Sequence, residues 1–275
     1  MTPSTSVSLV ILETRFHELA KLAVQHWSRR INFNEVIVFS DKNILPGSKW
    51  VPVNPLLDEN RDYGDILVRG MWPFIKTDYM ILINWDTLLR DQGLWTEEFF
   101  NYDYIGSMWP WQAPHSDNTD HCGISWRSKK LLDAMRYPAI ESTTDDIPYH
   151  VSHHMEKIMH DKFSIRMAED SMNHRFVLEM EQDDGKSFAV RGLWNIIAAF
   201  SRDVSESYVL GMPAMMWDDL RVAHEIIAAL VNRGYIDLIE YHATTIKNSA
   251  SYQDLINWLQ QETFPQQQTV LRILT

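Results

Sequence analysis

VSLVILETRFHELAKLAVQHWSRRINFNEVIVFSD, residues 7–41, decides the fold. Val7–Leu12 is a short, largely apolar, β-branched run with turn-type residues before it, the pattern of a strand buried on both faces. Phe16, Leu19, Ala20, Ala23 and Trp27 then recur at helical spacing, which predicts an amphipathic helix over residues 15–30. Residues 35–39 (EVIVF) form a second buried strand that ends in Ser40-Asp41. Strand, helix and strand without a hairpin turn make a βαβ unit, whose crossover is right-handed.

The pattern continues downstream. A third strand is expected over residues 49–53, a helix over 62–76 interrupted at Pro73, and a strongly apolar strand at Tyr79–Ile83 (YMILI) ending in Asn84-Trp85-Asp86. Residues 102–107 (YDYIGS) and 123–127 (GISWR) read as later strands around an aromatic, Pro-containing loop. The second half reads mainly as helices. Pro148 opens one that runs through His160, and Met172, Phe176 and Met180 mark another. The stripe Ala223, Ile226, Ile227, Leu230, Val231 stops at Asn232-Arg233-Gly234, and residues 252–260 form a last short helix. The expected fold is an α/β, Rossmann-like sheet flanked by helices with a helical C-terminal part, all on one domain.

Composition narrows the function classes. A chain of 275 residues with 45% hydrophobic residues supplies one large core, so disorder and coiled coils are excluded. The formal net charge of −12 disfavours a nucleic-acid partner, because the only basic runs, Arg29-Arg30 and Arg127 with Lys129-Lys130, are short. Cys122 is the sole cysteine, which fits a reducing compartment. With neither a basic leader nor an apolar run of membrane-spanning length, the expected location is the cytoplasm. Eleven tryptophans is a high count, and indoles serve either core packing or sugar stacking.

Ligands of open α/β sheets bind beyond the carboxyl ends of the strands, where this chain places Glu13-Thr14-Arg15, Ser40-Asp41 and Asn84-Trp85-Asp86. Neither G-x-x-x-x-G-K-[ST] nor G-x-G-x-x-G occurs, so a nucleotide would not be held by a glycine-rich loop. A divalent cation between Asp86 and a diphosphate is another solution, set against an Asp that merely caps the next turn. Glu169-Asp170 stands before a predicted helix, either as a general base or as charges that favour the helix start. His150, His153 and His154 invite a zinc reading, but no third ligand set accompanies them. No G-x-S-x-G elbow is present.

Residues 10–15 (VILETR), 35–41 (EVIVFSD), 77–86 (TDYMILINWD) and above all 99–111 (FFNYDYIGSMWPW) together carry a resemblance. Echoes follow at 123–128 (GISWRS), 168–170 (AED) and 198–201 (AAFS). The chain resembles a family of bacterial and phage proteins, defined as a domain of unknown function and regarded as GT-A-like glycosyltransferases. The resemblance spans roughly residues 10–217 and implies a GT-A domain over 1–217 with a helical extension over 218–275. It implies that Glu13, Thr14, Arg15 and Asp41 contact the nucleotide, that Asp86 holds the metal, and that Gly123 and Ser125 face the donor or acceptor sugar. Glu169-Asp170 matches the pair that supplies the base in inverting enzymes. Trp85, Trp109 and Trp111 would shape the sugar pocket.

The chain also departs from the family pattern. Asn84 and Thr87 replace the usual Gln and Gly around the key Asp, and His121-Cys122-Gly123 replaces an Asn-Gly-Gly type sequence. Gly211-Met212-Pro213-Ala214 stands where a Gly-Phe-His-Gly-like segment is usual, so the customary histidine is absent. These departures bear on the use of Mn or Mg. The reading that follows is transfer of a sugar from a nucleotide-sugar donor to a hydroxyl acceptor, with inversion favoured. Its alternatives are a catalytically decayed scaffold that binds nucleotide or carbohydrate, and a phage-type transferase acting on modified bases in DNA.

Overall fold

A computed structural model of the chain describes residues 6–54, 66–108, 119–137, 156–179, 185–263 and 266–275. The chain forms two compact units, Met1–Arg191 and Gly192–Thr275.

The first unit is built on a six-stranded sheet. Its strands are β1 (Val7–Leu12), β2 (Glu35–Ser40), β3 (Lys49–Pro52), β4 (Tyr79–Ile83), β6 (Tyr104–Met108) and β7 (Thr119–Ser128), in the order β3-β2-β1-β4-β7-β6. β1 pairs in parallel with β2 and β4, and β2 with β3, while β7 runs antiparallel to both β4 and β6. Every residue of β1 is buried, as its largely apolar sequence requires of a strand covered on both faces, and the one polar side chain, Ser8, is hydrogen-bonded to Thr77 at 2.6 Å. The expected mixed α/β sheet, flanked by helices and followed by a helical part, is the fold observed.

Helix α1 (His17–Ser28) buries Leu19, Ala20, Ala23, Val24 and Trp27. Its last turn also supports a second, three-stranded sheet made of β5 (Thr87–Leu89), β9 (Ala189–Arg191) and β8 (Val177–Leu178), in the order β5-β9-β8. β5 is an edge strand, and α1 covers its outward carbonyls: the Trp27 indole donates to Thr87 O at 3.1 Å and His26 Nε2 to Leu89 O at 2.7 Å. Burial pushes the His26 imidazole down to about 4; the Leu89 carbonyl opposes that shift, and Arg30 and Arg29 add to it.

Because the folded value lies below the unfolded one of about 6.5, the neutral ring supports the fold fully above pH 6.5 and loses that support as pH falls toward 4. At pH 5 the loss amounts to about 2 kcal/mol. Urea unfolding at pH 7 and pH 5 should show it, and His26→Gln, which keeps an amide donor without a titration, should shrink the pH difference. An unchanged difference would assign the acid sensitivity to other groups.

An aromatic cluster fills the space around Trp126, which is fully buried. Tyr79 stacks on it at 4.8 Å, and Phe100, Trp95 and Phe99 meet it at 5.1, 5.8 and 6.2 Å. Phe188 joins the same cluster through Trp95 and Phe99, and Trp27 through Phe188. Three of the eleven tryptophans, Trp27, Trp95 and Trp126, are therefore spent on this packing.

Residues 62–76 do not form the expected helix: among the described ones, Ile66–Gly70 make one π-helical turn and Trp72–Phe74 one 3₁₀ turn. Gly70 and Pro73 explain the break, since neither sustains an α-helical interior. The helix expected from Pro148 to His160 lies outside the described residues up to 155, and α3 (Glu156–Phe163) is its described part. It follows α2 (Lys129–Ala134), whose first turn is capped by Ser128 Oγ accepting from Leu131 N at 3.0 Å.

The segment carrying Glu169-Asp170 is fixed to the start of β6. Arg166 O accepts from Asp103 N at 2.8 Å, and Ala168 N donates to Tyr104 O at 2.9 Å. The buried Asp103 carboxylate accepts from Arg166 N, Ser128 Oγ and Lys130 Nζ at 2.9, 2.7 and 3.2 Å. Helix α4 (Asp170–Phe176) follows, and its Asn173 Oδ1 accepts from Gly106 N at 3.1 Å.

The second unit is helical: α5 (Leu193–Ala199), α6 (Arg202–Gly211), α7 (Leu220–Asn232), α8 (Ile236–Lys247), α9 (Tyr252–Gln261) and α10 (Gln267–Leu274). The stripe read from sequence is the buried face of α7. Its stop is a Schellman motif, with Gly234 N on Val231 O at 2.9 Å and Tyr235 N on Leu230 O at 2.8 Å. Gly234 takes φ +73°, the left-handed conformation that glycine reaches without strain. Gly192, at φ +91°, is doubly constrained, because a Cβ there would stand 2.6 Å from the Trp194 ring.

Candidate functional site

The sheet order reverses between β1 and β4, and in open α/β sheets that is where a crevice opens beyond the carboxyl ends. Three polar turns meet that edge, after β1, β2 and β4.

After β1, Glu13 is largely buried and turned onto the backbone: Oε1 accepts from Arg15 N at 2.6 Å and Phe16 N at 3.0 Å. Phe16 is the N-cap of α1, whose N–H has no partner within the helix, and Arg15 directly precedes it, so Glu13 shapes the entry into α1. The turn leaves Thr14 half-buried and Arg15 exposed. The Arg15 guanidinium lies 5.7 Å from the Phe16 ring centre, and Phe16 meets Trp85 edge-on at 5.3 Å. This aromatic contact ties the β1 and β4 turns together.

After β2, Asp41 Oδ1 lies 2.6 Å from His17 Nε2 and 3.3 Å from Ser40 Oγ. Partial burial works against the ionised carboxyl, but the His17 hydrogen bond and charge outweigh it and hold Asp41 below its ordinary range. His17 was not among the residues expected from sequence. Its only signal was a titratable group at a strand-to-helix junction facing a carboxylate 24 residues on.

After β4, Asp86 is placed by the second sheet. Thr87 pairs with Arg191, and Leu178 pairs with Val190, so Asp86 and Glu179 both come to Arg191 from neighbouring strands. Arg191 Nε is 3.7 Å from Asp86 Oδ1, and its NH1 is 2.7 Å from Glu179 Oε1. The three side chains are 18%, 16% and 7% exposed, so this is a mostly dry ion cluster beyond the carboxyl end of β4. Glu179 and Arg191 had no sequence signal, because strands of two and three residues bring them to Asp86 from far along the chain.

The remaining expected residues lie elsewhere. Gly123 and Ser125 are on β7, and the Ser125 hydroxyl is fully buried, accepting from Arg127 Nε at 3.0 Å. Glu169 and Asp170 are exposed. They follow the segment bridged to β6, three strand positions from β4 along β4-β7-β6, or about 14 Å at the usual spacing. Glu169 Oε2 accepts from the Tyr102 hydroxyl at 2.6 Å. That bond holds Glu169 below the usual carboxylate range, with help from Ser171 and Arg175, and the same bond raises Tyr102 against the opposing charge of Arg175. Trp109, Trp111, His150, His153 and His154 lie outside the described residues.

The divalent cation implied by the resemblance does not fit Asp86 as it is built here. Its carboxylate faces a permanent guanidinium charge rather than other oxygen ligands, and hard cations need several such oxygens. Among the described residues no three His, Cys, Asp or Glu side chains converge.

No family model matches the chain, and no curated protein matches it. Among solved structures it is similar to a glycosyltransferase involved in the glycosylation of the major capsid of PBCV-1, at 12% identity and a TM-score of 0.44, over 68% of this chain and 93% of that one. At that level of similarity, function has to be read from this chain's own residues. Among the described residues no helix is long and apolar enough to cross a membrane.

Proposed function

We propose that the chain is a glycosyltransferase that moves a sugar from a nucleotide-sugar donor to a hydroxyl acceptor. The observation that carries this reading is the meeting of Arg15, the Phe16–Trp85 pair, the His17–Asp41 pair and Asp86 with Arg191 beyond the strand ends at the point where the sheet order reverses. A nucleotide sugar suits such an edge. Asp41 accepts from hydroxyl or amide donors of the nucleoside, and exposed Arg15 meets the diphosphate with a forked, permanently charged donor set. Trp85 offers a ring to the sugar's C–H face.

The donor then lies across the strand ends from β2 toward β6, with Asp170 at the far side as the base. The acceptor oxygen forms a bond to the anomeric carbon as the bond from that carbon to the diphosphate breaks. The electron pair leaves on the diphosphate oxygen, and the acceptor proton passes to the Asp170 carboxylate. A direct displacement of this kind inverts the anomeric centre.

The test is the melting temperature of the protein against a panel of nucleoside diphosphates and nucleotide sugars. One nucleotide at a hundredfold excess over its dissociation constant should add about 2.7 kcal/mol of stability, with slow turnover of its sugar derivative. Stabilisation without turnover of any donor or acceptor would turn the reading to a binding scaffold. No stabilisation by any nucleotide would end it.

A further inference from the structure

We propose that Arg191 is the resident cation of the donor site, occupying the position between Asp86 and Glu179 that a divalent metal would otherwise take, and that it meets the donor's diphosphate in the metal's stead. This rests on the donor-site reading given above.

The geometry is that of a bridged cation. One guanidinium lies against two carboxylates from different strands, at 3.7 Å from Asp86 Oδ1 and 2.7 Å from Glu179 Oε1. The backbone sets that arrangement, since the Thr87–Arg191 and Leu178–Val190 pairings of the small sheet bring all three residues to one level. An arginine cannot shed its charge at any pH a protein survives, so the position stays cationic without an added ion. A divalent ion at the same carboxylates would stand beside that fixed charge in a mostly dry cluster, where repulsion is weakly screened.

The cluster of two carboxylates and one guanidinium carries a net negative charge, so it does not attract a diphosphate by total charge. Two carboxylates hold the guanidinium plane, and the planar fork then presents N–H groups in one orientation to phosphate oxygens. Arg15, exposed on the neighbouring turn and tied to it through Phe16 and Trp85, supplies a second positive charge at the same rim.

Two measurements decide the matter. In the first, Mn²⁺ alone is titrated into the protein and followed by the loss of its free electron-paramagnetic-resonance signal. Wild type should take up no ion at this position, whereas Arg191→Ala, which leaves Asp86 and Glu179 facing each other, should gain one site that Asp86→Ala in the same background removes. Uptake by wild type that is lost in Asp86→Ala would overturn the proposal. In the second, the melting shift given by a nucleoside diphosphate is compared in EDTA and in Mn²⁺. Equal shifts are expected, with affinity reduced about tenfold to a hundredfold in Arg191→Ala, the value of a lost charged hydrogen bond.

A shift that requires Mn²⁺ would overturn the resident cation and leave the donor-site reading standing. The absence of any nucleotide shift, with or without Mn²⁺, would end that reading and the diphosphate contact with it, while the manganese titration still judges the cation position. Should Arg191→Ala fail to fold, Arg191→Lys keeps the charge but not the fork, and should lose nucleotide affinity without gaining a manganese site. Full affinity in Arg191→Lys would count against the forked contact.

Discussion

Asp170→Asn is expected to lower the turnover of sugar transfer by about 10²–10⁴-fold, the usual contribution of a positioned general base, and to leave donor affinity within a factor of a few. The choice of Asp170 over its neighbour follows from the surroundings of each. Glu169 accepts a 2.6 Å hydrogen bond from the Tyr102 hydroxyl, and that bond lowers its affinity for a proton. A carboxylate so engaged is a poor proton acceptor. Asp170 begins α4 on the same short segment, exposed to an incoming acceptor. Glu169→Gln should therefore cost far less than Asp170→Asn, and measured kcat with KM for donor separates a lost base from lost binding. If Glu169→Gln proved the more damaging change, the two roles would have to be exchanged. If neither changed kcat, the base would lie elsewhere on the donor's far side.

How much of this was legible in sequence depends on how local each signal is. The β1–α1–β2 unit and β4 were readable because Val7–Leu12, residues 35–39 and Tyr79–Ile83 carry dense apolar runs, and α1 carries its own 3.6-residue stripe. The turns after those strands followed by the rule for open sheets, and Asp41 and Asp86 stand where that rule placed them. The small sheet was not readable. β5, β8 and β9 have three, two and three residues, too short for any period to register; α1 side chains hold β5, and β9 and β8 are held by pairing across the chain. Glu179 and Arg191 went with them. Their meeting with Asp86 is a matter of strand register across the chain, which no window of sequence contains. The failed helix at 62–76 is the opposite case: Gly70 and Pro73 were in view, and their local cost outweighed the apolar spacing.

Trp126→Ala should be the most damaging single change to the fold, at about 3–5 kcal/mol. Trp126 is fully buried on β7, and its removal leaves a cavity bounded by Tyr79, Trp95, Phe99 and Phe100. These rings stand 4.8–6.2 Å from Trp126, held by β4, β7 and the turns between them, so they cannot close the gap without moving the sheet. The loss should be read as the midpoint of urea unfolding by far-ultraviolet circular dichroism, in the transition of the unit that contains residue 126. Trp126→Phe keeps most of the volume and gives up the indole donor, which lies 3.3 Å from Tyr102 O. It should cost roughly 1–2 kcal/mol. Trp126→Phe also reaches the proposed site, because Tyr102 carries the hydroxyl that engages Glu169. A loosened Tyr102 would let Glu169 return toward ordinary carboxylate basicity, and because that charge stands beside the proposed Asp170 base, the acid side of the pH profile of transfer should move in Trp126→Phe. An unmoved profile would show that the aromatic cluster supports the sheet alone, and that the Tyr102–Glu169 bond is set by the β6 edge without it.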